Sequence, residues 1–166
     1  MKRQVLAESG FSLIEVTIAA AIFSMGLGGL SLMLLTAVMG TAEAGHQTLA
    51  STKASSLAEL IVLGSHASGH YVDPLPPADD SCVDDGTCSG EQTAANVLAA
   101  WQRELAEELP RGSGLVCRDS TPDDGHSADH RCDGGGSLVV KVFWQEFRHM
   151  DDEDGGLRRL FARLPF

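Results

Sequence analysis

Five residues in this sequence combine a reactive side chain with a setting that gives it something to do. Four are cysteines, Cys82, Cys88, Cys117 and Cys132. The fifth is Glu15, the one ionisable residue in a stretch otherwise uncharged from Phe11 to Ala42. A carboxylate at membrane depth costs roughly 3 kcal/mol near the bilayer centre on insertion scales, so its presence points to a task. The cysteines either pair or act as thiolates. Four of them allow three pairings; nearest-neighbour pairing joins Cys82 to Cys88 and Cys117 to Cys132. The second bridge would close a loop worth roughly 3 kcal/mol in the chain-entropy model. The competing chemistry is metal. "CRDSTPDDGHSADHRC" sets Cys117, His126, His130 and Cys132 in one loop, and Cys/His sets ligate zinc. That spacing is not a familiar zinc pattern, and an oxidising compartment favours disulfides, so neither a metal nor a cofactor is expected.

The remaining polar residues offer less. "DDGT", "DDGH" and "DDEDGG" evoke calcium loops, but none fits the D-x-[DN]-x-[DN]-G frame with its closing Glu; they read as solvated acidic turns. His46, His66, His70 and His149 lack companions at useful spacing. No nucleophile motif, phosphate loop or HExxH occurs, and no two carboxylates share a defined spacing in an apolar setting, as general acid–base work requires. An enzyme is not expected.

The elements that must position these residues fall into two unlike halves. Residues from about 11 to 40 are apolar and those beyond about 70 are acidic, within a chain of 166 residues and net charge −11. With 12 basic against 23 acidic residues, the soluble part lacks the basic face that phosphate-backbone binding needs, so no nucleic-acid partner is expected. After the apolar run, Leu49, Ala50, Lys53, Ala54, Leu57, Leu60 and Ile61 recur at three- and four-residue steps, the stripe of an amphipathic helix, with Gly64 as its stop. Residues 65 to 92 read as loop. Ser89 and Gln92 then form a possible capping box for a helix whose apolar face is Val97, Leu98, Trp101, Leu105 and Leu109, ended by Pro110 and Gly112. "LVCR" is a short strand. "SLVVKVFWQEF" alternates, with Leu138, Val140, Val142 and Trp144 on one face and Val139, Lys141, Phe143 and Gln145 on the other. "LRRLFARLPF" alternates as well, and the Asp-Gly-Gly between the two supplies turn chemistry. A meander of about three antiparallel strands is expected.

The N-terminus admits three readings. A secretory signal peptide would use Lys2 and Arg3 as its positive region and Ala42-Glu43-Ala44 as its cleavage site, but its apolar region normally spans about 7–15 residues, far fewer than Val16 to Ala42. A plain signal anchor needs about 20 apolar residues, which Val16 to Met39 supplies. Lys2 and Arg3 would hold the N-terminus in the cytoplasm. That reading leaves Glu15 without a role. The third gives it one. "KRQVLAESGFSLIEV" combines a short basic leader, a glycine, an aromatic residue and a Glu four residues further on. It resembles the leader of the type IV pilin-like superfamily, which includes type IV pilins and type II secretion pseudopilins.

The resemblance implies that a prepilin peptidase cuts between Gly10 and Phe11 and methylates the new terminus at Phe11. Glu15 then docks against an N-terminal amine, most simply that of an adjacent subunit. Buried ion pairs contribute little net stability but set registry. It also implies an α+β fold, with a long N-terminal helix, membrane-spanning in its first half, packed on a small antiparallel sheet with one extra helix. The expected segments are a leader over 1–10, a transmembrane and assembly helix over 11–40, its continuation outside the membrane over 41–64, and a periplasmic head over 65–166. The span has no proline, unlike many pilins. Gly26, Gly28 and Gly29 cluster there instead, either for close helix packing in lipid or as a place where the helix loosens.

The C-terminal half narrows the resemblance. "AAWQRELAEELPRGSGLVCRDSTPDDG" and "CDGGGSLVVKVFWQE" resemble the PilV family of minor pilins, the type IV pilus modification proteins. The shared elements are Trp101 and Leu105 (W-x3-L), Leu109, Pro110, Gly112 and Gly114 (L-P-x-G-x-G), Cys117, and a strand with Val140, Val142 and Trp144. This implies a low-abundance subunit in the inner membrane, N-terminus in the cytoplasm and head in the periplasm, then in the pilus, at its tip. Its implied partners are other minor pilins, the major pilin, the inner-membrane assembly machinery and membrane lipid, and its implied roles are pilus assembly, adhesion and twitching motility. Two alternatives stand beside it: a minor pseudopilin of type II secretion, and a signal-anchored periplasmic binding domain, with or without zinc.

Overall fold

The computed structural model describes residues 10, 12–64, 69–72, 75–146 and 155–165. A single helix, α1, runs from Leu13 to Leu63. Its first part is rich in Ala and Leu and lacks proline, so nothing interrupts the backbone ladder, and the helix runs unbroken through Gly26, Gly28 and Gly29. It ends where the Gly64 amide donates to the Leu60 carbonyl at 3.1 Å. The chain divides into two compact units between Ala42 and Glu43. In the first, every described residue is exposed.

The second unit contains the rest of α1, a short helix α2 (Ser81–Asp85), helix α3 (Gly90–Glu108) and three strands, β1 (Ser113–Asp119), β2 (Ser137–Gln145) and β3 (Leu157–Arg163). The strands form an antiparallel sheet in the order β1-β2-β3. In register, Val140 lies between Val116 and Ala162, and Lys141 between Leu115 and Phe161. Gly155 and Gly156, both at positive φ, turn the chain into β3, and the Glu146 amide donates to the Gly156 carbonyl.

The core follows the periodicities of its elements. From α1 it takes Ala50, Ala54, Leu57 and Ile61, one stripe at three- and four-residue steps; from α3 and its end, Trp101, Leu105 and Leu109. From the sheet it takes Val116, Leu138, Val140, Val142 and Trp144, with Leu164 just past β3. The fold is therefore a long N-terminal helix packed through its outer part on a small three-stranded antiparallel sheet, with additional helices, consistent with the type IV pilin-like fold.

Two local features depart from the sequence reading, and a third lies beyond what it addressed. The 65–92 segment contains α2. At the start of α3 only half a capping box forms: the Gln92 amide donates to the Ser89 hydroxyl, while the Gln92 side chain donates to the Pro77 carbonyl and Asn96 instead. The second face of β2 is not solvated, because residues 120–136 fold back over it. Val139, Lys141 and Phe143 are all buried, and the His130 ring stacks on Phe143 at 5.7 Å.

Candidate functional site

Glu15 sits in the first turn of α1. Its amide and that of Val16 both donate to the Ser12 carbonyl, at 3.0 and 3.2 Å. A carboxylate in a helix's first turn meets the positive end of the helix dipole. Glu15 and Gly10 are exposed, and a Cβ at Gly10 would meet nothing within 4 Å. Phe11 lies outside the described residues, as does the chain before Gly10.

The helix that carries Glu15 is suited to lipid in a second respect. Val16 to Met39 rises about 36 Å as helix, enough for a hydrocarbon core of about 30 Å. Among the described residues this is the helix long and apolar enough to cross a membrane. The hydroxyls within it are satisfied by their own backbone: Thr17 donates to Ile14, Ser24 to Ala20, Ser31 to Leu27 and Thr36 to Leu32, at 2.7–2.9 Å. Polar groups in lipid have no water to turn to, and these need none.

In the second unit the polar residues hold elements together. Cys82 and Cys88 are joined around α2, and Cys117 and Cys132 tie the end of β1 to the loop before β2. With both thiols of the latter pair consumed, Cys117 and Cys132 offer no thiolate to a metal alongside His126 and His130. His126 instead exchanges backbone hydrogen bonds with Asp129, and the His130 carbonyl accepts from Lys141.

Lys141 is the centre of the covered sheet face. Its ammonium pairs with Asp119, with the Asp124 carboxylate at 3.2 Å, and with the His130 carbonyl at 2.9 Å. The side chains of Lys141 and Asp119 are 1% and 0% exposed. Asp119 also accepts from the Thr121 amide. Nearby, Asp133 accepts from the Ser120 hydroxyl and from the Gly135 and Ser120 amides, which hold its carboxyl below the ordinary range, the hydroxyl contributing most. A parallel device shapes the 79–96 region, where Asp79 is lowered chiefly by its hydrogen bonds to Ser81 and Asn96 bonds the Asp79 backbone. Burial raises the Tyr71 phenol.

Helix α1 is fastened to its neighbours at two heights. His46 Nδ1 lies 2.9 Å from Glu146 Oε1, and the buried Glu146 also accepts from the Trp144 indole at 2.8 Å. His46 thus has a companion a hundred positions away, which no spacing rule reveals. One turn and more beyond, Lys53 donates to Glu104 and Glu108 of α3 at 2.7 and 3.0 Å, which raises its pKa. The Lys53 carbonyl accepts from the Trp101 indole at 3.1 Å. His70 approaches Glu91 at 3.9 Å; His66 and His149 lie outside the described residues.

The α3–β1 joint explains its own glycines. A Cβ at Gly114 would overlap the Trp101 ring and a Leu105 methyl, and one at Gly112 would overlap the Leu105 carbonyl. Trp101, Leu105, Gly112 and Gly114 therefore form one packing unit, in which the helix end turns hard against the first strand. Arg111, at φ 52°, makes that turn.

Residues 6–31 match a family described as the prokaryotic N-terminal methylation motif. No curated protein and no solved structure matches the chain. The match covers Gly10, Phe11, Glu15 and the first part of the apolar helix. It supports the pilin superfamily and implies processing by prepilin peptidase and interactions within a pilus-type system. Motif and helix together point to membrane anchoring through the N-terminus. The match does not extend to the C-terminal half, so it does not bear on the PilV resemblance.

Proposed function

We propose that this chain is a minor pilin. Prepilin peptidase cuts it between Gly10 and Phe11 and methylates Phe11, and residues 11–40 then hold it in the inner membrane with its head in the periplasm. On assembly, Glu15 takes the N-terminal ammonium of a neighbouring subunit as its counter-ion. With other minor pilins the protein initiates or caps a type IV pilus, and so supports adhesion and twitching motility. The role is structural rather than enzymatic.

One observation carries this reading: a lone carboxylate in the first turn of an otherwise apolar helix, within a matched methylation motif. A cut after Gly10 creates an ammonium about one helical turn from Glu15. Two charges in lipid without partners are expensive, and an intersubunit pair satisfies both. A minor-pilin rather than pseudopilin role draws support from the Trp101–Gly114 packing unit, which gives a physical reason for the residues that resemble the PilV family.

Intact-mass measurement of the protein from native membranes tests the processing step. The expected species begins at Phe11 and carries one methyl group; a chain still beginning at Met1, or cut after Ala44, refutes it. Glu15→Ala should leave the fold of the head intact while its recovery in sheared pili falls at least several-fold. Unchanged recovery would remove Glu15 from docking.

A further inference from the structure

Strand β3 is an edge. Among the described residues it pairs with β2 on one side and with no other strand, so its second row of backbone amides and carbonyls has no strand partner there, the arrangement that lets another chain add to a sheet. Its outer face, in register with Val139, Lys141 and Phe143 of β2, carries Arg159, Phe161 and Arg163. The 120–136 segment buries those β2 side chains but leaves Phe161 partly exposed, with the Arg163 guanidinium over its ring at 5.7 Å.

The charges here run against the composition. In a chain with nearly twice as many acids as bases, Arg158 and Arg163 have no carboxylate partner among the described residues. Arg159 reaches an exposed Asp123 at 3.4 Å and the Gly125 carbonyl. A second copy of β3 is a poor occupant, because edge-to-edge pairing brings arginines together. Nucleic acid is disfavoured by the net charge of −11.

We propose that the free edge of β3 accepts an extended segment of another polypeptide carrying two acidic residues four positions apart with apolar residues between them. Same-face neighbours on adjacent strands lie about 5 Å apart, so acids at that spacing fall beside Arg159 and Arg163. The residue midway falls beside Phe161, and the two alternate residues face the Leu160 and Ala162 side. Backbone bonds supply affinity and the side-chain pattern supplies selection, as in strand addition generally. The inference is independent of the N-terminal motif.

The test uses the full-length chain in detergent micelles and fluorescent peptides about ten residues long. One carries Glu-Val-Val-Val-Glu; a second, of equal charge, carries Glu-Val-Val-Glu; a third replaces the first peptide's Glu with Lys. The four-spaced acidic peptide should bind about fivefold tighter or more than the three-spaced one, and N-methylation of its alternate amides should abolish binding. Arg163→Glu, an exposed change, should remove the preference and favour the lysine peptide. Equal binding of the two acidic peptides, insensitivity to N-methylation or to Arg163→Glu, or tighter binding of a DNA oligonucleotide would each overturn the proposal.

Discussion

Removing the Asp119 carboxylate should cost more than any other single polar change in the described part of the second unit. Its side chain and that of Lys141 are 0% and 1% exposed, so Asp119→Ala leaves an ammonium in a water-excluded site. Breaking a buried pair from one side costs about 3–5 kcal/mol, because the remaining charge is uncompensated. Asp124 and the His130 carbonyl still reach Lys141, which places the expected loss near 3 kcal/mol, at the low end of that range. That is a large fraction of the roughly 5–15 kcal/mol that holds a domain together. Lys141→Met combined with Asp119→Ala removes both charges and fills much of the space with an apolar side chain, so the pair should cost less than Asp119→Ala alone. The readout is intrinsic. The chain has two tryptophans, and both Trp101 and Trp144 are buried in the core, so urea unfolding in micelles is followed by their fluorescence. A loss below about 1 kcal/mol for Asp119→Ala, or a double variant as unstable as the sum of the singles, refutes the assignment of Lys141 as a buried ammonium held by that partner.

Three further outcomes follow from named contacts. Gly114→Ala should destabilise the same transition by about 1–3 kcal/mol, the usual penalty for overpacking, with the Trp101 signal changing most. Replacing Cys117 and Cys132 by Ser should cost roughly 3 kcal/mol, and Lys141, beneath the freed loop, should become accessible to amine-modifying reagents, read by peptide mass. The Lys53 contacts with Glu104 and Glu108 raise its pKa, so their contribution is present below the unfolded value near about 10.4 and is lost as pH rises through the higher folded value. With both glutamates substantially exposed, Lys53→Met should cost at most about 1 kcal/mol, and the difference from the parent chain should shrink only above that alkaline range.

Local pattern carried the elements well and long-range pairing poorly. The stripe through Ala50, Ala54, Leu57 and Ile61, the face of α3 and the alternation of β2 each express one period, and a period is visible in a short window. The same alternation assigned Lys141 correctly to the second face. It could not show that residues 120–136 return to bury that face, because the signal is a charged residue in a strand and a run of acids far from it. His46 and Glu146 are likewise unremarkable until folding brings them together. The half-formed capping box fails for a nearer reason: Gln92 has a competing acceptor in the Pro77 carbonyl. The N-terminal segment was legible because chemistry constrains it locally, one carboxylate at one spacing from one glycine.

The inward-turned hydroxyls of the apolar helix bear on how such a rod chooses its azimuth. With Thr17, Ser24, Ser31 and Thr36 all bonded to their own carbonyls, its flank from Val16 to Met39 presents hydrocarbon in every direction and would spin freely among like neighbours. Glu15 is the one charged mark on that cylinder, so under the proposed docking the compass bearing of a subunit about its axis would be set at a single point.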